Sequence, residues 1–465
     1  MRYDEAVRSL LTLGQELAVP RHARTQKFDL DNIRTLAAAM GHPERRLPCV
    51  HIAGTNGKGS VAAMLDSILR AAGLRTGLYT SPHLVRINER IRIEGRELPD
   101  AEFAAAFARL RAVIEALLAR GAEAGGLRAH PTYFECLTAM ALDCFARTGL
   151  DFAVYEVGMG GRLDATNIVT PEVAVLTQID FDHEDYLGYT LSAIAAEKAG
   201  IIKPGAWVVS AAKRPEARAV ISERVAAMGG RLVEIDAAYR VEAAPAAAEP
   251  VAQHAVVRAA DGTRYELTVP LPGQFQVRNA VTALAAARLL AERGFLIPDD
   301  AIVRGIATVH WPGRLQRVGT NPTVYIDGTH NPAGAQELVA FCRQYLSGRR
   351  LWLVYGAMRD KAVEEITGLI FPLAWRVVLT APQQPRAISP DVLAAMTRHL
   401  EPPGGITVVA NPADALEQAL SESAAADVVL ATGSLYLAGD LLAYWQSGRE
   451  APAMPARLSR ADGCG

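Results

Sequence analysis

The sequence predicts an α/β protein: a P-loop-containing, mainly parallel sheet domain followed by a smaller doubly wound α/β domain. Three observations lead there. A buried-strand run, Pro48-Cys49-Val50-His51-Ile52-Ala53, passes through Gly54-Thr55-Asn56-Gly57-Lys58-Gly59-Ser60 into helical spacing at Val61, Met64, Leu65, Ile68 and Leu69. Apolar runs of strand length then alternate with helical patterns, as parallel layers require. The alternation restarts near Trp311-Pro312-Gly313 as a second unit.

Taken in order, strands are predicted at 76–80, 152–157, 173–177 and 207–210, with helices at 102–118, 132–146 and 191–199. An Ala/Pro-rich stretch at 243–250 reads as a surface excursion. Beyond it, runs at 255–258 and 264–269 flank Asp261-Gly262, a hairpin signal. A helix follows at 277–293. The second unit carries strands at 323–326, 351–355, 376–379, 407–410 and 427–431. These patterns divide the chain into a domain at 1–311, a second at 312–445 and a tail at 446–465, whose composition predicts disorder.

Bulk composition narrows the function. At 465 residues the chain exceeds one typical domain, and half of it is hydrophobic. A net charge of −2 with acids and bases interspersed offers no nucleic-acid footprint. Cys49, Cys136, Cys144, Cys342 and Cys464 are scattered without metal spacing, which points to a reducing compartment. The N-terminus opens as a charged amphipathic helix without a signal-peptide pattern, and no apolar run reaches spanning length. The expectation is a cytoplasmic protein with no membrane or nucleic-acid partner.

Four segments carry chemistry. In the first, glycines let backbone N–H groups close on phosphate oxygens at a helix N-terminus, Lys58 reaches the outer phosphates and Ser60 can sit near Mg²⁺. An ordinary glycine-rich turn is the plain alternative. The spacing departs from G-x-x-x-x-G-K-[ST]: Gly59 separates lysine from hydroxyl. In the second, Glu156 ends a buried strand before Gly158, Gly160 and Gly161, where an acid is either a Mg²⁺ ligand or a turn cap. In the third, Asp180, Asp182, Glu184 and Asp185 surround His183, as a metal site or a solvated acidic turn. In the fourth, Asp327-Gly328-Thr329-His330-Asn331-Pro332 follows a strand, as a catalytic cluster or a helix start. Glu197-Lys198-Ala199-Gly200 reads equally as a helix C-cap.

Together these segments resemble the folylpolyglutamate synthase/dihydrofolate synthase family of the ATP-dependent Mur ligase superfamily. The resemblance also rests on Tyr79-Thr80-Ser81-Pro82-His83-Leu84, Thr132-Tyr133-Phe134-Glu135, Leu187-Gly188, Pro312-Gly313-Arg314, Gly356-Ala357-Met358-Arg359-Asp360-Lys361 and Gly433-Ser434, in family order across about residues 25 to 440. Phe275-Gln276 stands where many members have His-Gln, and Thr329 where they have alanine.

The resemblance implies that Mg²⁺ is held by Ser81, Glu156 and His183 and that Lys198 is carbamylated. ATP is implied to contact Asn56, Gly57, Lys58, Gly59, Ser60, Asn279, Arg314 and Asp327. Lys58, Lys198, Arg314, Asp327 and His330 are implied in catalysis. The pterin is implied to lie against Asp29, Leu30, Asp31, Asn32, Thr132, Tyr133, Phe134, Glu135, Leu163, Asp164 and Ala165. The implied reaction adds L-glutamate to dihydropteroate and to reduced folates through an acyl phosphate, in a monomer. Rival readings are a folylpolyglutamate synthase alone, a muramyl-peptide ligase, a non-enzymatic nucleotide switch and a plain structural α/β protein.

Overall fold

The computed structural model describes residues 1–13, 29–242 and 252–449. The stretch expected as an excursion and the chain from 450 onward lie outside the described residues. Among the described residues two compact units emerge: those within 1–314 together with 331–345, and 315–330 with 346–449.

The first unit is built on eight strands: β1 (Cys49–Ala53), β2 (Thr76–Tyr79), β3 (Ile91–Ile93), β4 (Arg96–Glu97), β5 (Phe152–Glu156), β6 (Val173–Leu176), β7 (Trp207–Ser210) and β8 (Arg231–Glu234). Their order is β4-β3-β2-β5-β1-β6-β7-β8. From β2 to β8 every pairing is parallel, and β3 and β4 add an antiparallel edge. β1, β5 and β6 are buried at every position, as a central parallel strand covered on both faces must be. β9 (Tyr239–Glu242), β10 (Gln253–Ala259) and β11 (Arg264–Val269) form a separate antiparallel sheet. The Asp261-Gly262 turn joins the last two, with Gly262 at φ +90° as such a turn needs.

Helices cover both faces of the large sheet. On one, Met64, Leu65 and Ile68 of the helix Lys58–Ala71 pack with Leu284 and Leu290 of Gln274–Glu292 and Ile302 of Asp299–Ala307 against Val50, Ile52 and Val175. On the other, Phe103 and Phe107 of Asp100–Arg120 and Phe145 of Tyr133–Arg147 pack with Tyr79 and Tyr155.

The second unit carries β12 (Gln316–Thr320), β13 (Thr323–Ile326), β14 (Leu351–Tyr355), β15 (Arg376–Leu379), β16 (Ile406–Val408) and β17 (Val428–Thr432), ordered β12-β13-β17-β14-β15-β16. Only β12 runs antiparallel. The helix Leu435–Gln446 runs through the residue where the tail was expected to begin, and Arg449 beyond it pairs with Glu417. Leu437, Leu441 and Leu442 are buried along this helix, and the Pro/Gly-rich composition starts only beyond it.

His51 on β1 is fully buried with Nε2 2.7 Å from Thr166 Oγ1. Burial, with Lys203 nearby, holds its pKa down at about 3. The unfolded chain takes up a proton below the ordinary value of 6.5 while the folded chain does not. Stability is therefore fully present above that value and falls as pH drops toward 3, by up to about 1.4 kcal/mol per pH unit. Denaturant unfolding of His51→Gln, compared with the parent between neutral and mildly acid pH, should show a shallower loss. Identical slopes would assign the acid sensitivity elsewhere.

Candidate active site

The loop after β1 is shaped by contacts that only glycine permits at two positions. A Cβ on Gly54, at φ +153°, would stand 1.8 Å from Thr177 Oγ1. One on Gly57, at φ +89°, would stand 2.5 Å from Asn279 Oδ1. Between them, the N–H groups of Thr55 and Asn56 donate to the Gln178 carbonyl at 2.8 and 3.3 Å. Thr55 Oγ1 donates to the Asp180 carbonyl at 2.9 Å and accepts the Asp180 N–H at 3.1 Å. The loop is thus pinned to the segment after β6. The helix begins at Lys58, two residues before the sequence reading placed it. Its first-turn N–H groups, on Lys58, Gly59 and Ser60, belong to the end of a helix that attracts anions.

Two lysines converge on this loop. Lys58 Nζ donates to the carbonyls of Gly54 and Thr55 at 3.0 and 3.2 Å. Lys198 Nζ donates to the same Gly54 carbonyl at 2.9 Å, from a side chain only 4% exposed. A surface C-cap lysine does neither. Gly200 ends that helix at φ −60°, so the left-handed cap allowed for in the sequence is not formed. Its glycine is needed because a Cβ would meet Arg162 Cβ at 2.4 Å.

Glu156 ends β5 in register with Ile52 of β1. Its Oε2 accepts the Ser81 N–H at 3.1 Å, which brings two of the three expected Mg²⁺ ligands together. His183 directly precedes the short helix Glu184–Leu187 at φ +53°, with Nε2 3.8 Å from Asp182 Oδ2. Asp182 in turn lies 3.3 Å from Asn331 Nδ2, and Asn331 pairs with Asn56 of the loop. The tips of β5, β1 and β6 therefore present Glu156, the P-loop and the Asp182-His183 turn side by side, the edge where parallel sheets take ligands. Among the described residues no three His, Cys, Asp or Glu side chains gather as a metal cluster. The expected set includes only two such residues. Arg314 donates to the Gly313 carbonyl at 3.2 Å. Asn279 Nδ2 donates to Gln276 Oε1 at 3.0 Å.

The expected pterin residues meet on the same unit. Thr132 and Glu135 form a capping box: Thr132 N–H and Oγ1 donate to Glu135 Oε2 at 2.7 and 2.9 Å, and Glu135 N–H returns to Thr132 Oγ1 at 3.2 Å. Burial raises the Glu135 pKa, opposed by those bonds, while Asp29 repels it and Asn32 hydrogen-bonds it. Asp29 and Leu30, with Asp31 and Asn32 opening the helix Asp31–Ala39, thus adjoin the start of the helix Tyr133–Arg147. Phe134 lies on Gly158, where a Cβ would stand 2.5 Å from the ring. Asp164 accepts the N–H groups of Gly158, Met159 and Thr166, each at 3.0 Å, and the Thr166 hydroxyl. Burial outweighs these bonds and lifts its pKa to about 6. Leu163 is half-buried and Ala165 buried beside it. Thr132→Ala should cost about 1 kcal/mol of stability by removing the cap. Chemical denaturation checks this, and an unchanged midpoint would contradict it.

Residues beyond the motifs complete the surroundings. Arg90 is 2% exposed, donates to His83 Nδ1 at 2.8 Å and lies 5.4 Å over the Tyr133 ring. Trp311 rests on Gly59, where a Cβ would meet the indole at 3.0 Å, and Arg92 lies 5.2 Å over it. Neither falls in a periodic pattern that a single sequence reveals.

In the second unit, Asp327 follows β13 and is 3% exposed. Its two oxygens accept the N–H groups of Leu315 and Thr329, both at 2.9 Å. His330 Nδ1 lies 2.8 Å from the Gly328 carbonyl, and the Gly433 N–H donates to the Thr329 carbonyl at 3.1 Å. Ser434 caps the helix Leu435–Gln446 through the Tyr436 N–H at 3.1 Å. Asn331, in the first unit, caps the helix Pro332–Tyr345 of that unit, so the helix-start reading of Asn331-Pro332 holds. Among the described residues no helix is long and apolar enough to cross a membrane.

The class follows from comparison. The Mur ligase middle domain matches residues 102–287, and the Mur ligase, glutamate ligase domain matches residues 313–435. The Bacillus subtilis dihydrofolate synthase/folylpolyglutamate synthase is 34% identical over 423 residues, covering 89% of this chain and 94% of that protein. Escherichia coli FolC in complex with DHPP and ADP aligns with a TM-score of 0.82 at 31% identity, covering 97% of this chain and 99% of that one. The chain belongs to the dihydrofolate synthase/folylpolyglutamate synthase family. A probable bifunctional folylpolyglutamate synthase/dihydropteroate synthase of Halobacterium salinarum is 38% identical over 446 residues, 96% of this chain. The chain spans about half of that relative, 52% of its length.

Proposed function

We propose that this protein is an ATP-dependent acid–amino-acid ligase that joins L-glutamate to dihydropteroate, giving dihydrofolate, and to reduced folates, giving folylpolyglutamates. The observation that carries the reading is the convergence of Lys58 and Lys198 on the Gly54 carbonyl, beside Glu156 at the neighbouring strand tip. Family membership supplies the substrate class. The acceptor's carboxylate, the benzoate of dihydropteroate or the terminal glutamate γ-carboxylate of a folate, attacks the γ-phosphate of ATP, releasing ADP and leaving an acyl phosphate. The glutamate amine then attacks the acyl carbon, and the tetrahedral intermediate expels phosphate as the amine loses its proton. Such transfer depends on position and charge neutralisation more than on covalent help. Lys58 and Arg314 supply positive charge at the phosphates, with N–H groups of the loop around them. Asp327 and His330 are assigned to the same reaction.

Two of the donors suit a hard cation, the Ser81 hydroxyl and the Glu156 carboxylate drawn to the Ser81 N–H, with the His183 imidazole as the softer third. Mg²⁺ held there would neutralise developing phosphate charge. Lys198 fits a carbamate, because two ammonium groups on one carbonyl repel each other and the CO₂ adduct replaces one of them by an oxygen donor. Asp29, Leu30, Asp31, Asn32, Thr132, Tyr133, Phe134, Glu135, Leu163, Asp164 and Ala165 hold the pterin. The functional division falls near 311, with the chain acting as a monomer in the cytoplasm.

ADP release measured with ATP, Mg²⁺ and glutamate, with dihydropteroate or a reduced folate in parallel, tests this. Turnover is expected with both acceptors. Turnover with the folate alone reduces the protein to a folylpolyglutamate synthase. Turnover with a UDP-linked muramyl peptide and neither pterin replaces the reading.

A further inference from the structure

The Asn56 side chain, expected to touch ATP, is already committed within the protein. Its Nδ2 donates to Asn331 Oδ1 at 3.0 Å, and its Oδ1 accepts from Asn331 Nδ2 at 2.8 Å. Two primary amides make this reciprocal pair when each offers one donor and one acceptor. The Asn56 backbone N–H is engaged as well, on the Gln178 carbonyl. Asn331 is 3% exposed, so water competes little for the pair. The same Asn331 Oδ1 accepts the Gly334 N–H at 2.9 Å and caps its helix. Its Nδ2 also faces Asp182 Oδ2, beside His183. One buried amide therefore ties a helix start to the residue that precedes the left-handed Gly57 and to the turn after β6.

We infer that Asn331 and Asn56 are a positioning pair that holds the P-loop in its phosphate-binding shape, and that the Asn56 side chain does not itself contact the nucleotide. This rests on the P-loop reading above. A loop released from Asn331 spends part of its time in other conformations, and ATP binds only the competent fraction. Losing the two neutral hydrogen bonds should weaken ATP binding about tenfold.

The test is a double-mutant cycle on the full chain with Asn56→Ala, Asn331→Ser and both together, with Lys58→Ala as a control. Serine at 331 retains an oxygen that can cap the Gly334 N–H, so the helix start is kept. Each single variant should raise the KM for ATP about tenfold, and the pair together no further, with kcat within about threefold. KM for glutamate and for the pterin should not move. A merely structural role would lower the active fraction, and hence kcat, without changing the KM for ATP. Two results overturn the inference: a multiplicative loss in the double variant, as expected if Asn56 touched the nucleotide, or an unchanged KM for ATP in both single variants. Lys58→Ala separates the failures. If it kills turnover while the cycle is flat, only the pair is wrong; if it keeps turnover, the P-loop reading falls and the inference with it. Should Asn331→Ser fail to fold, Asn331→Thr takes its place, since its hydroxyl can cap the same Gly334 N–H and it cannot make the amide pair.

Discussion

Lys58→Ala should lower ligase turnover by about 10³-fold or more while leaving the unfolding transition close to that of the parent. The two halves have different origins. In the transition state, charge spreads over the transferring phosphoryl oxygens, and an ammonium held against a loop of N–H groups meets it without reorganising. For stability, Lys58 gives the fold hydrogen bonds to the Gly54 and Thr55 carbonyls from a half-buried position. It also shares the Gly54 carbonyl with Lys198, so its removal relieves a repulsion. Steady-state kinetics with a thermal melt on the same sample checks both halves. A variant with near-normal turnover contradicts the loop assignment, and a collapsed melt would turn the kinetic loss into a folding effect.

Lys198→Ala is the second large effect, expected at about 10²-fold or more in kcat. Lys198 is buried beside the loop, a place where holding an ammonium is costly. As a carbamate it would carry a negative oxygen donor toward the cation site and attract Lys58. Short carboxylates such as acetate or formate should restore part of the activity of Lys198→Ala, because they return the missing oxygen. They should do nothing for Lys58→Ala. Incubation with ¹³C-bicarbonate should give a carbamate resonance in the parent that is absent from the variant. Full activity in Lys198→Ala, with an unmodified amine in the parent, removes the carbamate from the account.

Regular elements were legible in the residues because periodicity and burial coincide. β7 and the helix Leu191–Ala199 fall where alternation and helical spacing place them, and β13, β14 and β15 do too. Edges were less legible. β3, β4 and β12 are short antiparallel strands whose residues lack a long apolar run, so pairing with neighbours decides them. The motif loops could be seen, but not what they touch. Lys198 reads as a C-cap until the fold carries its amine 144 residues back in sequence to Gly54. Asn331 reads as a helix start, which it is, while its amide also grips Asn56 across 275 residues. Contacts of that sequence separation leave no local spacing to detect. The substrate and the role of each motif residue came from family resemblance rather than from pattern.

The central claim is that the acceptor's carboxylate is activated by direct phosphorylation before glutamate adds. Dihydropteroate labelled with ¹⁸O in both carboxylate oxygens, turned over with ATP, Mg²⁺ and glutamate, reports on that step. The attacking oxygen leaves with phosphate when the amine displaces it, so the account predicts one ¹⁸O in each phosphate released and one retained in the new amide. Phosphate free of label, with dihydrofolate still formed, would contradict an acyl phosphate; ADP formed without any glutamylated product would contradict the ligase itself.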